Sequence, residues 1–337
     1  MRVIGFIVLV GFSLGFLPRA FADVESPPRC EVVPLAGHEA SFRIDGIEIT
    51  RWHFGPEYPR PFFYPFNGPS GTSLTRMGHP GAPNHDHHRS IWFAHHDLEG
   101  NDFWSDETET KIRQKRWIAY VDGDDEAIMA SLLGWYDDEG KEVMEQELVV
   151  ALSPVAEGGS LMELQSTFGP AKGRSQIRLG KTNFGFLAVR VSKSISKHFG
   201  GGEILDSEGR VGESAIFGRQ SRWMDYSGRV AAGTSSARHW VSEGITYFDH
   251  PRNLRYPSYW HVREDGWMGA SFDLAKDHVI KADQPLVLRY MLYAHDGAYD
   301  SIRAGEMASE FADRSGFLVR KSSRSHHQFE VQRVGVE

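Results

Sequence analysis

The sequence predicts an all-β chain, a large antiparallel β-sandwich with one C-terminal helix, on three observations. Short runs rich in β-branched and aromatic residues follow one another from about residue 41 to residue 295. Clusters of Asp and Gly separate them, the clearest being Asp45-Gly46 between two alternating runs. No helical period intervenes between consecutive strands, which disfavours parallel βαβ units and favours sheets packed face to face.

The elements follow in order. Arg2, the apolar run "VIGFIVLVGFSLGFL" and the ending "RAFA" predict a signal peptide over residues 1–22, cut after Ala22. Its apolar core of 15 residues is short for a bilayer span, which takes about 20. "SFRI-DG-IEITRWHF" reads as a hairpin, and "AIMASLLGWYDDEGKEVMEQELVVAL" as a second, longer one. "RWIAYV", "SLMELQSTF", "FGFLAVRVS", "GITYFDH", "WMGASF" and "PLVLRYMLYAH" supply further strands. The helix is "DSIRAGEMASEFADRSG", opened by Asp300 or Ser301 and closed by Gly316. Residues 318–337 lack periodicity and read as a loose tail. One continuous series of strands predicts a single domain over residues 23–317.

Charge and cysteine usage narrow the function classes. Acids outnumber bases, 45 to 37, for a formal net charge of −8. That argues against nucleic acid or an anionic membrane surface as the main partner. Beyond the first segment no run is apolar enough to span a membrane. Cys30 is the only cysteine, so no internal disulfide forms and an ordinary core holds the exported, periplasmic or secreted chain.

The densest chemistry lies in "NHDHHRSIWFAHHDLEGNDFW", residues 84–104, where five of 16 histidines fall within twelve residues. If "RSIWFAHHDL" is a strand, His87, Arg89, Ile91, Phe93, His95 and Asp97 share one face. His88, Ser90, Trp92, Ala94 and His96 then share the other. Three chemistries compete. Imidazoles with a carboxylate move protons near neutral pH. Arg89 grips an anion bidentately. Alternatively, one divalent metal is held by His85, His87 and His95.

A second dense stretch, "FDHPRNLRYPSYWHVRED" (248–265), carries Asp249, His250, Asn253, Trp260 and His261 on a proline-stiffened segment suited to framing a pocket. "RWMDYSG" offers Asp225 and Tyr226 as a proton-transfer pair or as turn chemistry. Nine tryptophans suit a sugar-binding cleft and a sandwich core equally.

The motifs "RPFFYPFNGPSG", "LTR", the histidine segment, "GGEILDSEG", "RWMDYSG", "FDHPRNLRYPSYWHVR" and "LVLRYMLYAHDG" occur in an order that resembles an exported bacterial family labelled PmoA, a domain of unknown function. The resemblance runs from about Arg60 to the helix near Phe311. His85, His87, His88, Arg89, His95, Asp97, Asp102, Phe103 and Trp104 match its histidine pattern, with Asn84, Asp86 and His96 departing from it. "GKTNFG" departs further, placing Lys181, Asn183 and Phe184 where relatives often carry charged partners. The layout is also similar to galactose-mutarotase-type supersandwiches, which implies carbohydrate as ligand.

These readings combine into one expectation: acid–base chemistry on a carbohydrate or acidic sugar. His87, His88, His95, Asp97 and Tyr226 are the expected catalytic groups. Arg89, Arg76, Asp102, Trp104, His250, Asn253, Trp260 and His261 are the expected substrate contacts. No cofactor is expected, the alternative being the divalent metal. Hydrolysis, lysis and epimerisation all remain open, as does a glycan-binding module without turnover.

Overall fold

A computed structural model describes residues 26–79, 81, 85–156 and 158–334. The expected signal peptide, Asn84 and the last three residues of the tail lie outside the described residues.

Two eight-stranded sheets pack face to face. The front sheet runs, in spatial order, Cys30–Leu35, Glu39–Ile44, Ile47–His53, Phe62–Phe66, Ile91–His95, Gly185–Arg190, Trp267–Ser271 and Tyr259–Arg263. The back sheet runs Glu203–Asp206, Trp223–Ala232, His239–Asp249, Leu286–Asp296, Ser160–Pro170, Glu142–Pro154, Ala127–Tyr136 and Lys111–Val121. Every neighbouring pair is antiparallel. The all-β sandwich expected from the sequence is the fold observed.

Both expected hairpins are present, and the first shows why its turn residues matter. Asp45 and Gly46 adopt φ of 52° and 76°, the paired positive angles of a tight hairpin turn that Asp-Gly tolerates. The core lies between the sheets. Phe42, Ile91, Phe93 and Met268 of the front sheet meet Leu148, Phe168, Tyr247 and Tyr290 of the back sheet.

The helix spans Ser301–Asp313. Asp300 caps it, its carboxylate accepting from the backbone N–H of Ile302 at 2.8 Å and of Arg303 at 3.2 Å. Ala304, Met307 and Phe311 are spaced to share one face, and they pack on Trp223, Phe248 and Met291, outside the back sheet. Two further single-turn helices, Lys197–Gly200 and Glu213–Ile216, are too short to leave a period in the sequence.

The tail differs from expectation. Gly316–Lys321 and Phe329–Val334 pair as a hairpin, and Arg333 anchors it with ion pairs to Glu126 and Glu163 at 2.6 and 2.9 Å. Long-range charge pairing, invisible to local periodicity, orders the segment. Among the described residues, no helix is long and apolar enough to cross a membrane.

Candidate functional site

The front sheet has two unlike faces. Ile91 and Phe93 belong to the main core, whereas Trp92 and Ala94 belong to a separate cluster on the outer face. Neighbouring strands add to that outer face in register. Ala188 pairs with Trp92, Arg190 with Trp267, and His261 with Gly269. Small residues make room for the rings: a Cβ on Gly269 would stand 3.2 Å from the Trp267 indole.

The segment before Ile91 is tied onto the same face by backbone bonds. Arg76 N–H donates to Arg190 O at 3.1 Å, Arg190 N–H to Ser90 O at 2.6 Å, and Gly78 N–H to His88 O at 2.7 Å. Ser90 has a φ of 57°, a left-handed conformation that interrupts strand alternation. The strand therefore begins at Ile91, and His87 and Arg89 do not continue the face of Phe93 and His95.

An aromatic cluster results. His88 stacks on Trp267 and Trp92 with ring centroids 5.1 and 5.7 Å apart. Trp92 and Trp267 are 5.2 Å apart, and Trp104 lies 5.7 and 5.1 Å from them. His261 meets Trp267 edge-on at 5.7 Å. Phe184 bridges Trp104 and His261 at 5.2 and 5.0 Å, so the departure in "GKTNFG" falls directly on this cluster.

Four ring nitrogens in it have no hydrogen-bond partner among the described residues: Trp92 Nε1, Trp267 Nε1, His88 Nδ1 and His261 Nε2. All four rings are buried. His261 Nδ1 donates to the carbonyl oxygen of Asn183 at 3.1 Å, so Nε2 carries a lone pair and no hydrogen. The two indoles are donors only. Leaving such groups buried and unmatched costs about 1–3 kcal/mol each.

Burial keeps both imidazoles neutral. It lowers the pKa of His261 to about 4, with the nearby Arg263 charge adding to the effect. Burial also holds His88 far below the usual range, reinforced by His87, Arg190, His85 and His79.

A charged shelf adjoins the rings. Arg190, fully buried, donates to Asp265 at 2.8 Å. Asp265 also meets His79 at 3.0 Å, and its backbone carbonyl accepts from Arg76 at 2.8 Å. Burial disfavours ionisation of Asp265, but the hydrogen bond and charge of Arg190 outweigh it and hold the carboxylate below its usual range. His85 lies 5.4 Å from His79 and 5.0 Å from His88, ring to ring. Burial lowers its pKa, and His79 and Arg190 add to that.

Of the residues expected from the sequence, His85, His87, His88, Arg76, Trp104 and His261 come together here. The others do not. Arg89 is held by a bidentate pair with Asp106, at 3.0 Å through Nη1, beside the buried Arg60. Its fork is filled within the chain. His95 faces the core, fully buried, and pairs with Asp273 at 3.2 Å. It therefore stands on the opposite side of the sheet from His85 and His87, and the three expected metal ligands do not meet. Among the described residues, no three His, Cys, Asp or Glu side chains are arranged to hold a metal.

Asp97 caps a turn by accepting from Gly100 N–H at 2.8 Å. Asp102 does the same for Trp104 and Ser105 at 2.7 and 3.1 Å, which positions Trp104. Tyr226 is a buried clamp, accepting from Lys197 N–H and donating to Glu264 O, both at 2.9 Å. Burial raises its pKa further above the ordinary phenol value. His250 and Asn253 are buried beneath the helix and beside Arg289. Trp260 is a core ring whose Nε1 donates to Ser221 O at 2.8 Å.

Sequence reasoning missed Trp92, Trp267, Arg190, His79 and Asp265 as site residues. A usable signal was present: Ala94, Ala188 and Gly269 are small residues at outward strand positions, the spacing that leaves room for neighbouring rings.

Comparison with known proteins gives a family without an activity. A search of the curated proteins found no match. Among solved structures, the chain is similar to "Putative kojibiose phosphorylase from human microbiome", at 8% identity and a TM-score of 0.34. The match covers 88% of this chain and 40% of that one, so the chain spans well under half of that protein's length. A family model described as "Family of unknown function (DUF6807)" matches residues 39–309. That is most of the chain, which belongs to this family of unknown function.

Proposed function

We propose that the outer face of the front sheet binds a carbohydrate and carries out proton transfer on it, in an exported protein. The observation that carries this reading is the set of four unpartnered ring nitrogens on mutually packed rings. Two are donors, His261 Nε2 is an acceptor, and His88 Nδ1 serves as either according to its tautomer. A sugar hydroxyl both donates and accepts, and the C–H face of a pyranose packs on indole. One ligand class thus meets both demands of the site. The resemblance to galactose-mutarotase-type sandwiches supports the same reading.

The proton-handling groups are His261 and His88. Each is neutral near pH 7 because burial disfavours the cation. His261 Nε2 accepts a proton from a bound hydroxyl or carbon acid, while Asn183 O holds the ring orientation through Nδ1. Trp92 and Trp267 fix the ligand through their N–H groups.

The test is a panel of neutral and acidic glycans assayed for turnover with the wild type and His261→Ala. Turnover lost in the variant while binding persists supports the reading. Turnover that survives the change removes His261 from the chemistry.

A second reading, glycan binding without turnover, has one observation in its favour. Three carboxylates around the site are engaged, Asp102 by backbone N–H groups, Asp106 by Arg60 and Arg89, and Asp265 by Arg190 and His79. Binding with no product from any glycan of the panel selects this second reading.

A further inference from the structure

Arg190 and Arg76 share more charge than the structure matches. Arg190 Nη1 is bonded to Asp265, but its Nε and Nη2 are buried with no hydrogen-bond partner among the described residues. Those two nitrogens form one edge of the guanidinium fork, the edge that takes a carboxylate bidentately. Arg76 is 9% exposed. Its Nη2 donates to the backbone oxygen of Asp265, and its Nε and Nη1 have no partner among the described residues. Arg190 bonds the Asp265 carboxylate, which His79 also contacts, while Arg76 bonds the backbone of the same residue. Burial lowers the pKa of Arg76 to about 10, with Arg190 adding to the shift, so Arg76 stays charged at neutral pH. Buried cationic donors without acceptors are costlier than neutral ones.

We infer that Arg190 and Arg76 form an oxyanion subsite beside the aromatic cluster, and that it takes the carboxylate of an acidic sugar. The Nε–Nη2 edge of Arg190 grips the two carboxylate oxygens, and Arg76 adds a third donor. The inference rests on the carbohydrate reading and narrows it to uronate-type ligands. It also moves anion recognition away from Arg89, whose fork is filled by Asp106. The surroundings agree in sign. Phe199 lies over Arg76 at 5.5 Å, and beyond it a groove is lined by Lys193, Arg229 and the 64% exposed Trp240. A chain with net charge −8 thus keeps a basic, aromatic strip next to the site.

The test is calorimetric titration of the full chain with glucuronate, glucose, glucose 6-sulfate and inorganic sulfate, repeated with Arg76→Gln. Glucuronate should bind at least about tenfold more tightly than glucose, the scale of a charged hydrogen bond. Arg76→Gln should remove most of that advantage and leave glucose within about twofold of wild type.

Equal binding of glucuronate and glucose by the wild type overturns the oxyanion subsite and leaves the carbohydrate reading standing. So does a loss in Arg76→Gln that is the same for both sugars. Tighter binding of glucose 6-sulfate than of glucuronate overturns the carboxylate assignment. Binding of inorganic sulfate that Arg76→Gln weakens, with no sugar bound, overturns the carbohydrate reading and keeps the oxyanion site. No binding of any probe overturns both. If Arg76→Gln does not fold, the wild-type ratio of glucuronate to glucose decides, and Arg76→Lys, which keeps the charge and loses the fork, supplies the variant.

Discussion

His261 Nδ1 donates to the carbonyl oxygen of Asn183 at 3.1 Å, and that bond fixes the orientation of the imidazole. The same carbonyl accepts from Ser271 Oγ at 2.7 Å, so it is itself held in place. Nε2 is left bare against the edge of Trp267. His261→Ala is therefore expected to lower turnover by about 10²–10⁴, the usual contribution of a general base. Ligand affinity should fall far less. Steady-state kinetics beside calorimetric binding separate the two; equal losses in both would make His261 a contact only.

The depressed pKa of His261 also predicts how stability varies with pH. Its folded value is about 4, against an ordinary value of 6.5. As pH falls below 6.5 the unfolded chain takes up the proton first, so stability is lost between about 6.5 and about 4. His261→Gln removes this contribution, on the order of 3 kcal/mol. Melting temperatures of wild type and variant should converge as pH drops from 7 to 4. A constant gap across that range contradicts the assignment.

Asp249 works in the opposite sense, because burial raises its folded pKa to about 6 from 3.8. The folded chain holds that proton more tightly, so its contribution is present at low pH and is lost as pH rises through about 6. Asp249→Asn should therefore gain stability relative to wild type from pH 5 to pH 7, read by denaturant unfolding at each pH. A relative loss over that interval would show that the carboxylate is ionised without penalty.

Arg89 is expected to matter for structure and not for ligand. Arg89→Ala breaks a bidentate pair and leaves Asp106 with Arg60 alone. The expected cost is about 1–3 kcal/mol in unfolding free energy. Affinity for glucuronate should stay within about twofold. A tenfold loss of affinity with unchanged melting would return Arg89 to the ligand.

Tyr226→Phe tests a second reassignment. Its hydroxyl bridges Lys197 N–H and Glu264 O, both backbone groups, and is bonded to none of the bare ring nitrogens. The change should cost about 1–3 kcal/mol of stability and leave the rate constant for turnover unaltered. A selective loss of rate at full stability would place the phenol in the reaction.

The architecture was legible because alternation and turn chemistry are local. "SFRI-DG-IEITRWHF" contains its own strands and its own turn, and Asp300 its own cap. The tail was not legible, since Arg333 finds Glu126 and Glu163 across the fold. The site was half legible. His85, His88, Arg76, Trp104 and His261 carry conspicuous chemistry and do assemble. The face assignment around them failed at one residue: left-handed Ser90 stops the alternation that the sequence suggested for Arg89 and His95. Arg190 and Trp267 sit inside strands with unremarkable patterns, and only the pairing of strands distant in sequence sets them side by side.

The two indole N–H groups of Trp92 and Trp267 are expected to donate to a ligand oxygen. Their proton resonances can be assigned among nine tryptophans with Trp92→Phe and Trp267→Phe. Titration with glucuronate, followed by indole N–H shifts, then reads the site atom by atom. The account predicts that these two signals move downfield together, as new hydrogen bonds form. A glucuronate that binds yet leaves both signals in place, or shifts only the exposed Trp240, would contradict it.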